Sequence, residues 1–310
     1  MRYGVCCIVL GLEEYDPPNK FQKMTYSKFS KMNKNEALEV LGSRILNNIQ
    51  TTFQAIKFCY SKNYCYRLSS DLFPLVTYDK AEIDLQYMPH FDSIKTLMGK
   101  IKSYLQENPV RISTHPDQFN VLASENKDAV QRTIKELNFQ SWVMDELGCP
   151  SNYNSPINIH LGSNKGDPKE IMDRFVANFD LLDENCRNRI VLENDDKTAC
   201  WSVGKLFDYY YSATGKPITF DFLHHKCHPD NLSEEEAIKL CHSTWATFKP
   251  LFHFSESRDE KNPRAHSDYP SFSPRCYGLD FDLDFEFKMK EKSINLFETK
   301  ILQGEIVDVA

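Results

Sequence analysis

The sequence is poor in residues that loosen or interrupt a backbone, with 11 glycines and 15 prolines among 310 residues. That scarcity argues against long flexible linkers. Its ten cysteines form no CxxC pair and no regular framework. Scattered thiols of this kind suit a reducing compartment, and a cytoplasmic location is expected. No apolar stretch is long enough to cross a membrane. The opening run Met1-Arg2-Tyr3-Gly4-Val5-Cys6-Cys7-Ile8-Val9-Leu10 is short and is followed by Glu13, Glu14 and Asp16. It has no small-residue cleavage site, so it reads as a first buried strand rather than a secretory signal. Positive charge is not in excess either. The net charge of −7 weighs against a non-specific nucleic-acid binder, which is usually basic. It leaves room for a protein whose bound cations or local basic loops meet phosphate.

What is present is a hydrophobic fraction of 41%, enough for a sizeable core, arranged as short apolar runs alternating with longer amphipathic stretches. The length admits one or two domains. Strand candidates are 3–10, 64–68, 110–113, 157–160, 190–192, 218–220, 251–254 and 279–287. The clearest helix carries Leu38, Leu41, Ile45, Ile49, Phe53, Ile56 and Tyr60, spaced three or four apart on one face. Other helical patterns run near 94–105, 129–147, 169–182, 203–211 and 234–241, and a last one near 291–301 would close the structure. Strands alternating with helices predict a parallel sheet. Eight such repeats predict an α/β fold, a (β/α)8 TIM barrel, as a single domain over 1–310. An open doubly wound sheet is the structural alternative.

One loop stands apart. From Pro17 to Asn35 the chain holds Lys20, Lys23, Lys28, Lys31 and Lys34, with Phe21, Tyr26 and Phe29 among them and no acid. Basic residues interleaved with aromatics suit a phosphate backbone and exposed bases; the plain alternative is a solvated surface loop. It follows the first strand and so is expected on the face where the strands end.

The polar residues at the predicted strand ends are more informative. Strand three runs into Ser113-Thr114-His115-Pro116-Asp117-Gln118-Phe119, and strand four ends Asn158-Ile159-His160. Strand five runs into Leu192-Glu193-Asn194-Asp195-Asp196, and strand six into Asp221-Phe222-Leu223-His224-His225. Strand seven carries His253, followed by Ala265-His266-Ser267-Asp268, and strand eight carries Asp282, Asp284 and Glu286. In a barrel the C-terminal strand ends converge on one site, and imidazoles converging with carboxylates make a metal site. One such histidine alone would more often be structural. His115, His160, Glu193, Asp221, His224, His253, His266 and Glu286 are too many ligands for a single ion, which uses about four to six. They suffice for two or three, an arrangement used in phosphodiester hydrolysis. Asp195 and Asp196 either orient one of these ligands from outside or cap the next helix.

At these residues the chain resembles the UV damage endonuclease family. Tyr66-Arg67-Leu68-Ser69-Ser70 resembles its arginine-serine-serine strand. The segments His115–Phe119, 192–196, 221–225, His253-x-Ser255, Ala265-His266-Ser267-Asp268-Tyr269 and 282–291 are similar to its other motifs, in order. The resemblance implies a barrel related to the apurinic-site endonucleases with a cluster of two or three divalent ions, manganese above all, with Mg2+, Co2+ or Zn2+ as alternatives. It implies incision of damaged double-stranded DNA immediately 5′ of cyclobutane dimers and 6–4 photoproducts, leaving 3′-hydroxyl and 5′-phosphate ends. The eight residues above become metal ligands, Glu193 bridging. Glu193, His253 and Lys249 are the catalytic candidates. Gln118 and Phe119 match a pair that wedges into the duplex, and Lys20, Lys23, Lys28 and Arg67 are expected on DNA. The chain departs from the family's pattern at Tyr78, at Leu251 and, in strand one, at Val5 and Val9.

Rival readings remain open on the residues alone: an apurinic-site endonuclease of the same barrel superfamily, a two-metal sugar isomerase, and a DNA-binding protein on a decayed nuclease scaffold. A monomer is expected.

Overall fold

The computed structural model describes residues 1–15 and 18–306; Pro17, the first residue of the basic loop, lies outside them. Eight parallel strands form the central sheet: β1 (Tyr3–Cys6), β2 (Cys65–Leu68), β3 (Ile112–Thr114), β4 (Ile157–Ile159), β5 (Ile190–Glu193), β6 (Ile218–Thr219), β7 (Leu251–Phe254) and β10 (Asp282–Phe285). The remaining pair, β8 (Ser257–Asp259) and β9 (Asn262–His266), is an antiparallel hairpin rising after β7. The order β6-β5-β4-β3-β2-β1-β10-β7 is shut by one parallel bridge, Asp221 to His253, reinforced by His253 N–H donating to the Phe220 carbonyl at 2.9 Å. The fold is a nearly closed (β/α)8 barrel.

Alternation along each strand sorts side chains between the barrel interior and the helical layer. On β10, Leu283 and Phe285 turn outward. Phe285 packs edge-on against Tyr3 at 4.9 Å and lies 5.4 Å from Phe297 of the closing helix Lys290–Leu302. Asp282 and Asp284, between them, turn inward. The longest helix, Lys34–Lys62, is capped by the Asn33 side chain on Asn35 N–H and ends at Asn63 in the left-handed region. It buries Leu41, Ile45, Ile49 and Ile56, and at Gly42 it comes so close to the backbone of Pro89 that a Cβ would lie 2.3 Å from the Pro89 carbonyl oxygen.

Several boundaries differ from the sequence reading for local reasons. The first strand stops at Cys6 because Cys7 takes φ +69°. Ile8 and Val9 lead instead into the short helix Leu10–Glu13, whose free Leu10 and Gly11 N–H groups donate to the Glu291 carboxylate at 2.8 and 2.7 Å. Leu279 belongs to a turn, not to the last strand. The stretch expected as one helix over 203–211 is α-helical only at Val203–Lys205 and widens to a π-helix over Leu206–Tyr211. Val5, Val9 and Leu251, noted as departures from the family pattern, are core residues.

Candidate metal centre

The ligand candidates come from the ends of six strands of the barrel and from the hairpin after β7. His115 follows β3, His160 follows β4, Glu193 ends β5, Asp221 follows β6, His253 lies in β7 and Glu286 follows β10. His224 stands one turn into the helix Phe222–Cys227, whose N-cap is Asp221. All surround Glu193, which is 1% exposed. Its Oε2 lies 3.0 Å from His115 Nε2, 2.9 Å from His253 Nδ1 and 4.0 Å from His160 Nε2; its Oε1 lies 3.0 Å from His224 Nδ1. Three overlapping groups could each hold an ion: His115–Glu193–His253, His160–Glu193–His224 and Asp221–His253–Glu286, with ligand atoms within 4.8 Å of one another in each. Glu193 and His253 are each shared by two groups. His266 lies outside the three, at the base of β9 beside Glu286, 3.9 Å from its Oε2.

Two of the rings, His115 and His160, are held so that Nε2 is left to the centre. His115 Nδ1 faces the Pro116 carbonyl at 3.2 Å, whereas His224 Nδ1 stands between the Asn194 carbonyl at 2.9 Å and Glu193 Oε1 at 3.0 Å, and His266 Nδ1 lies 2.6 Å from the Glu286 carbonyl. His160 Nδ1 lies 3.1 Å from Asp195 Oδ1. An imidazole whose outer nitrogen is engaged by an oxygen offers the other as a lone pair to a cation. Asp195 therefore orients a ring rather than capping a helix, and Asp196 pairs instead with Arg264 of the hairpin at 3.7 Å.

Burial alone cannot hold these charges. Burial pushes the Glu193 carboxyl up, but His253, His160, His115 and His224 together hold it well below the usual carboxylate range. Burial raises Asp221, aided by the negative charge of Glu193 and Glu286. It lowers His115. For His160 and His253 burial is outweighed by Glu193, and both are raised. Asp221 Oδ2 and Asn158 Oδ1 are buried without a hydrogen-bond partner, and Glu193 Oε1, His160 Nδ1 and His253 Nδ1, although within 3.1 Å of another candidate ligand or of Asp195, make no well-directed hydrogen bond. Buried polar atoms in native proteins are nearly always satisfied. Unpartnered nitrogen and oxygen donors crowded at one point fit a divalent cation, the group that would satisfy them together.

The surrounding surface divides the other expected residues. Gln118 and Phe119 are exposed on the loop after His115, Phe119 to 80%. Beside them a cleft of about 640 Å³ opens over His160 and His224, walled by Gln118, Asn164, Lys197, Lys261 and Arg264. Lys28 is exposed, as are Lys20 and Lys23, which pair with Glu13 at 3.6 Å and Asp71 at 2.8 Å. The aromatics of that loop are not free for bases: Phe29 is buried, and Phe21 and Tyr26 pack against the core. Two expectations are corrected. Arg67 does not face DNA; it is buried inside the barrel, paired with Asp284 and Glu286. Lys249 precedes β7 and binds Asp280 and Asp282 at 2.7 and 3.2 Å, at the N-terminal end of the barrel, opposite to the centre. It takes no part there.

Sequence reasoning passed over Asn158 and Asn194. Asn158 Nδ2 donates to Glu193 Oε2. Asn194 ties β5 to the end of β6, its Oδ1 accepting from Asp221 N–H at 2.8 Å. The signal for Asn158 was its place two residues before His160 on one strand, which puts both on the inner face.

A parallel barrel with an imidazole–carboxylate cluster at its C-terminal mouth defines a class, the TIM-barrel proteins that build a site from several strand ends. The chain belongs to the UV-endonuclease UvdE family, whose sequence model matches residues 1–308. It is 28% identical over 306 residues to a UV DNA damage endonuclease of Bacillus cereus, covering 96% of this chain and 92% of that one. It is likewise 28% identical over 308 residues to one of Bacillus anthracis, covering 96% and 93%. The crystal structure of SacUVDE superposes with a TM-score of 0.81 at 25% identity, covering 98% of this chain and 99% of that one. Endonuclease IV from Thermus thermophilus shares the fold at a TM-score of 0.55 and 10% identity, covering 98% of this chain and 100% of that one.

Proposed function

We propose that this chain is a divalent-metal-dependent endonuclease that hydrolyses the DNA phosphodiester immediately 5′ of ultraviolet photoproducts, leaving 3′-hydroxyl and 5′-phosphate ends. His115, His160, Glu193, Asp221, His224, His253, His266 and Glu286 would hold its ions, with Glu193, common to two of the three candidate groups, as the bridging carboxylate. The observation that carries the reading is the convergence of unpartnered, buried ligand atoms around Glu193, beside an exposed Gln118-Phe119 pair. Bound there, two or three ions, Mn2+ in the first place, supply Lewis acidity to a phosphodiester and lower the pKa of a water.

The chain's own residues do the rest. Glu193 and His253, each common to two ligand groups, fix the spacing of the centre. Asn158 and Asp195 hold Glu193 and His160 in one orientation. Phe119 offers an apolar wedge to a base step, where unstacking costs a few kcal/mol, least at a damaged step. Lys20, Lys23 and Lys28 meet the phosphate backbone; the present partners of Lys20 and Lys23 are partly exposed carboxylates that a phosphate can replace.

The test is incision of an end-labelled duplex carrying one cyclobutane dimer, run beside intact and abasic duplexes, with Mn2+ and with chelator. A metal-dependent cut immediately 5′ of the dimer is expected. Cutting of the abasic duplex alone would replace this reading with an apurinic-site endonuclease, and failure on all three would leave binding without cleavage.

A further inference from the structure

Beneath the imidazole–carboxylate cluster the barrel is not filled by branched apolar side chains alone, the common content of such a barrel. Asp282, Asp284 and Glu286 alternate along and just past β10 and make three ionic levels. At the lowest, Asp282 meets Arg2 at 2.7 Å, Arg111 at 3.1 Å and Lys249 at 3.2 Å. At the middle level Arg67 of β2 is enclosed. Its Nε donates to Asp284 Oδ2 at 3.0 Å, and its Nη1 reaches up to Glu286 Oε1. Ser113 Oγ donates to the same Asp284 oxygen at 3.3 Å. Room for this carboxylate comes from Gly4 of β1, where a Cβ would lie 2.0 Å from Asp284 Oδ1. Arg67 Nη2 and Asp284 Oδ1 are buried without hydrogen-bond partners.

A buried ion pair adds little stability over apolar packing of the same volume, so stability alone does not account for the middle level. We infer that Arg67 is a positioning residue for the metal centre: gripped by Asp284 beside Gly4, its guanidinium holds Glu286 by Oε1, the oxygen that also lies 3.4 Å from His253 Nδ1, and so sets how Glu286 presents its carboxylate to a cation shared with Asp221 and His253. The inference rests on the metal-centre reading above. The planar guanidinium bridges two carboxylates at fixed angles, and a lysine ammonium, a point charge on a flexible stem, does not.

The test is calorimetric titration of the full chain with Mn2+, with metal analysis, for the wild type, Arg67→Lys, Asp284→Asn and Arg111→Lys, each also unfolded thermally in chelator. Arg67→Lys and Asp284→Asn are expected to bind Mn2+ about 10- to 100-fold more weakly, the usual effect of losing an outer partner of a metal ligand. Arg111→Lys, which alters the lowest level, is expected to lower the unfolding temperature and keep the wild-type affinity. Wild-type affinity in Asp284→Asn, which keeps the shape of the aspartate, or in a folded Arg67→Lys overturns the inference. So does an equal loss in Arg111→Lys, because the effect would then be one of stability. A wild type that binds no Mn2+ overturns the metal centre itself, and this inference with it.

Discussion

Glu193 sits with imidazoles on every side, His115 and His253 at one oxygen and His224 at the other, the last without a well-directed hydrogen bond. Glu193→Gln keeps the shape, removes the charge and places an amide nitrogen among the rings. We expect it to abolish measurable incision of dimer-containing DNA while circular dichroism stays that of the wild type; incision at the wild-type rate in Mn2+ would remove Glu193 from the centre. Asp195 acts one shell further out, through His160 Nδ1. Asp195→Asn should weaken Mn2+ binding by about 10- to 100-fold, and an unchanged titration would make that contact incidental. Phe119 is the converse case, exposed and bonded to little. Phe119→Ala should leave stability within about 0.5 kcal/mol, as surface changes do, and reduce the preference for damaged over intact duplex. An unchanged preference in competitive binding would argue against the wedge.

The elements show why some of this was legible beforehand and some was not. Strands such as 157–160 and 251–254 announce themselves by apolar runs interrupted at alternate positions by His or Asn, so both the barrel and its inward ligands could be read from pattern. The hairpin of β8 and β9 could not: Ser257-Arg258-Asp259 and Asn262-Pro263-Arg264-Ala265-His266 carry no apolar alternation, because both faces meet solvent. Arg67 and Lys249 were misplaced for a related reason. A cation's residue type says nothing about which end of a strand it occupies or whether acids surround it, and Asp280, Asp282, Asp284 and Glu286 do so only once the barrel has rolled up. Close approach is similarly invisible. In the helix Lys34–Lys62, propensity alone would favour Gly42→Ala by about 1 kcal/mol. The Pro89 oxygen, 2.3 Å from where the Cβ would stand, reverses the sign, and a net loss of about 1–2 kcal/mol is expected. A higher urea midpoint for Gly42→Ala would show that the helix can move aside.

Across the molecule, charge is buried along the barrel axis and the apolar core lies outside it. At the lowest level burial pushes Asp282 up, but Arg2, Arg111 and Lys249 bring its carboxyl down to about 2. A carboxyl lowered in the folded state stabilises above its unfolded pKa, near 4, and that stabilisation fades as pH falls towards 2. The shift corresponds to roughly 2 kcal/mol. Urea midpoints of the wild type should therefore drop more steeply between pH 5 and pH 2 than those of Asp282→Asn, which should already be lower at pH 7. Parallel acid limbs would place the sensitivity elsewhere.

The bridge between Asp221 and His253 is where the sheet meets itself, and both residues carry ligand atoms. On the proposed reading, the seam of the cylinder and the grip on a cation would be one contact. An ion that draws these side chains together would also lace the first strand of the seam to the last, much as a rivet both fastens a plate and closes a pipe. Stripping the ion should then show in solvent exchange of the His253 amide, which donates to Phe220 across the seam, well before any loss of helix content, so that a damaged centre would announce itself as a breathing barrel.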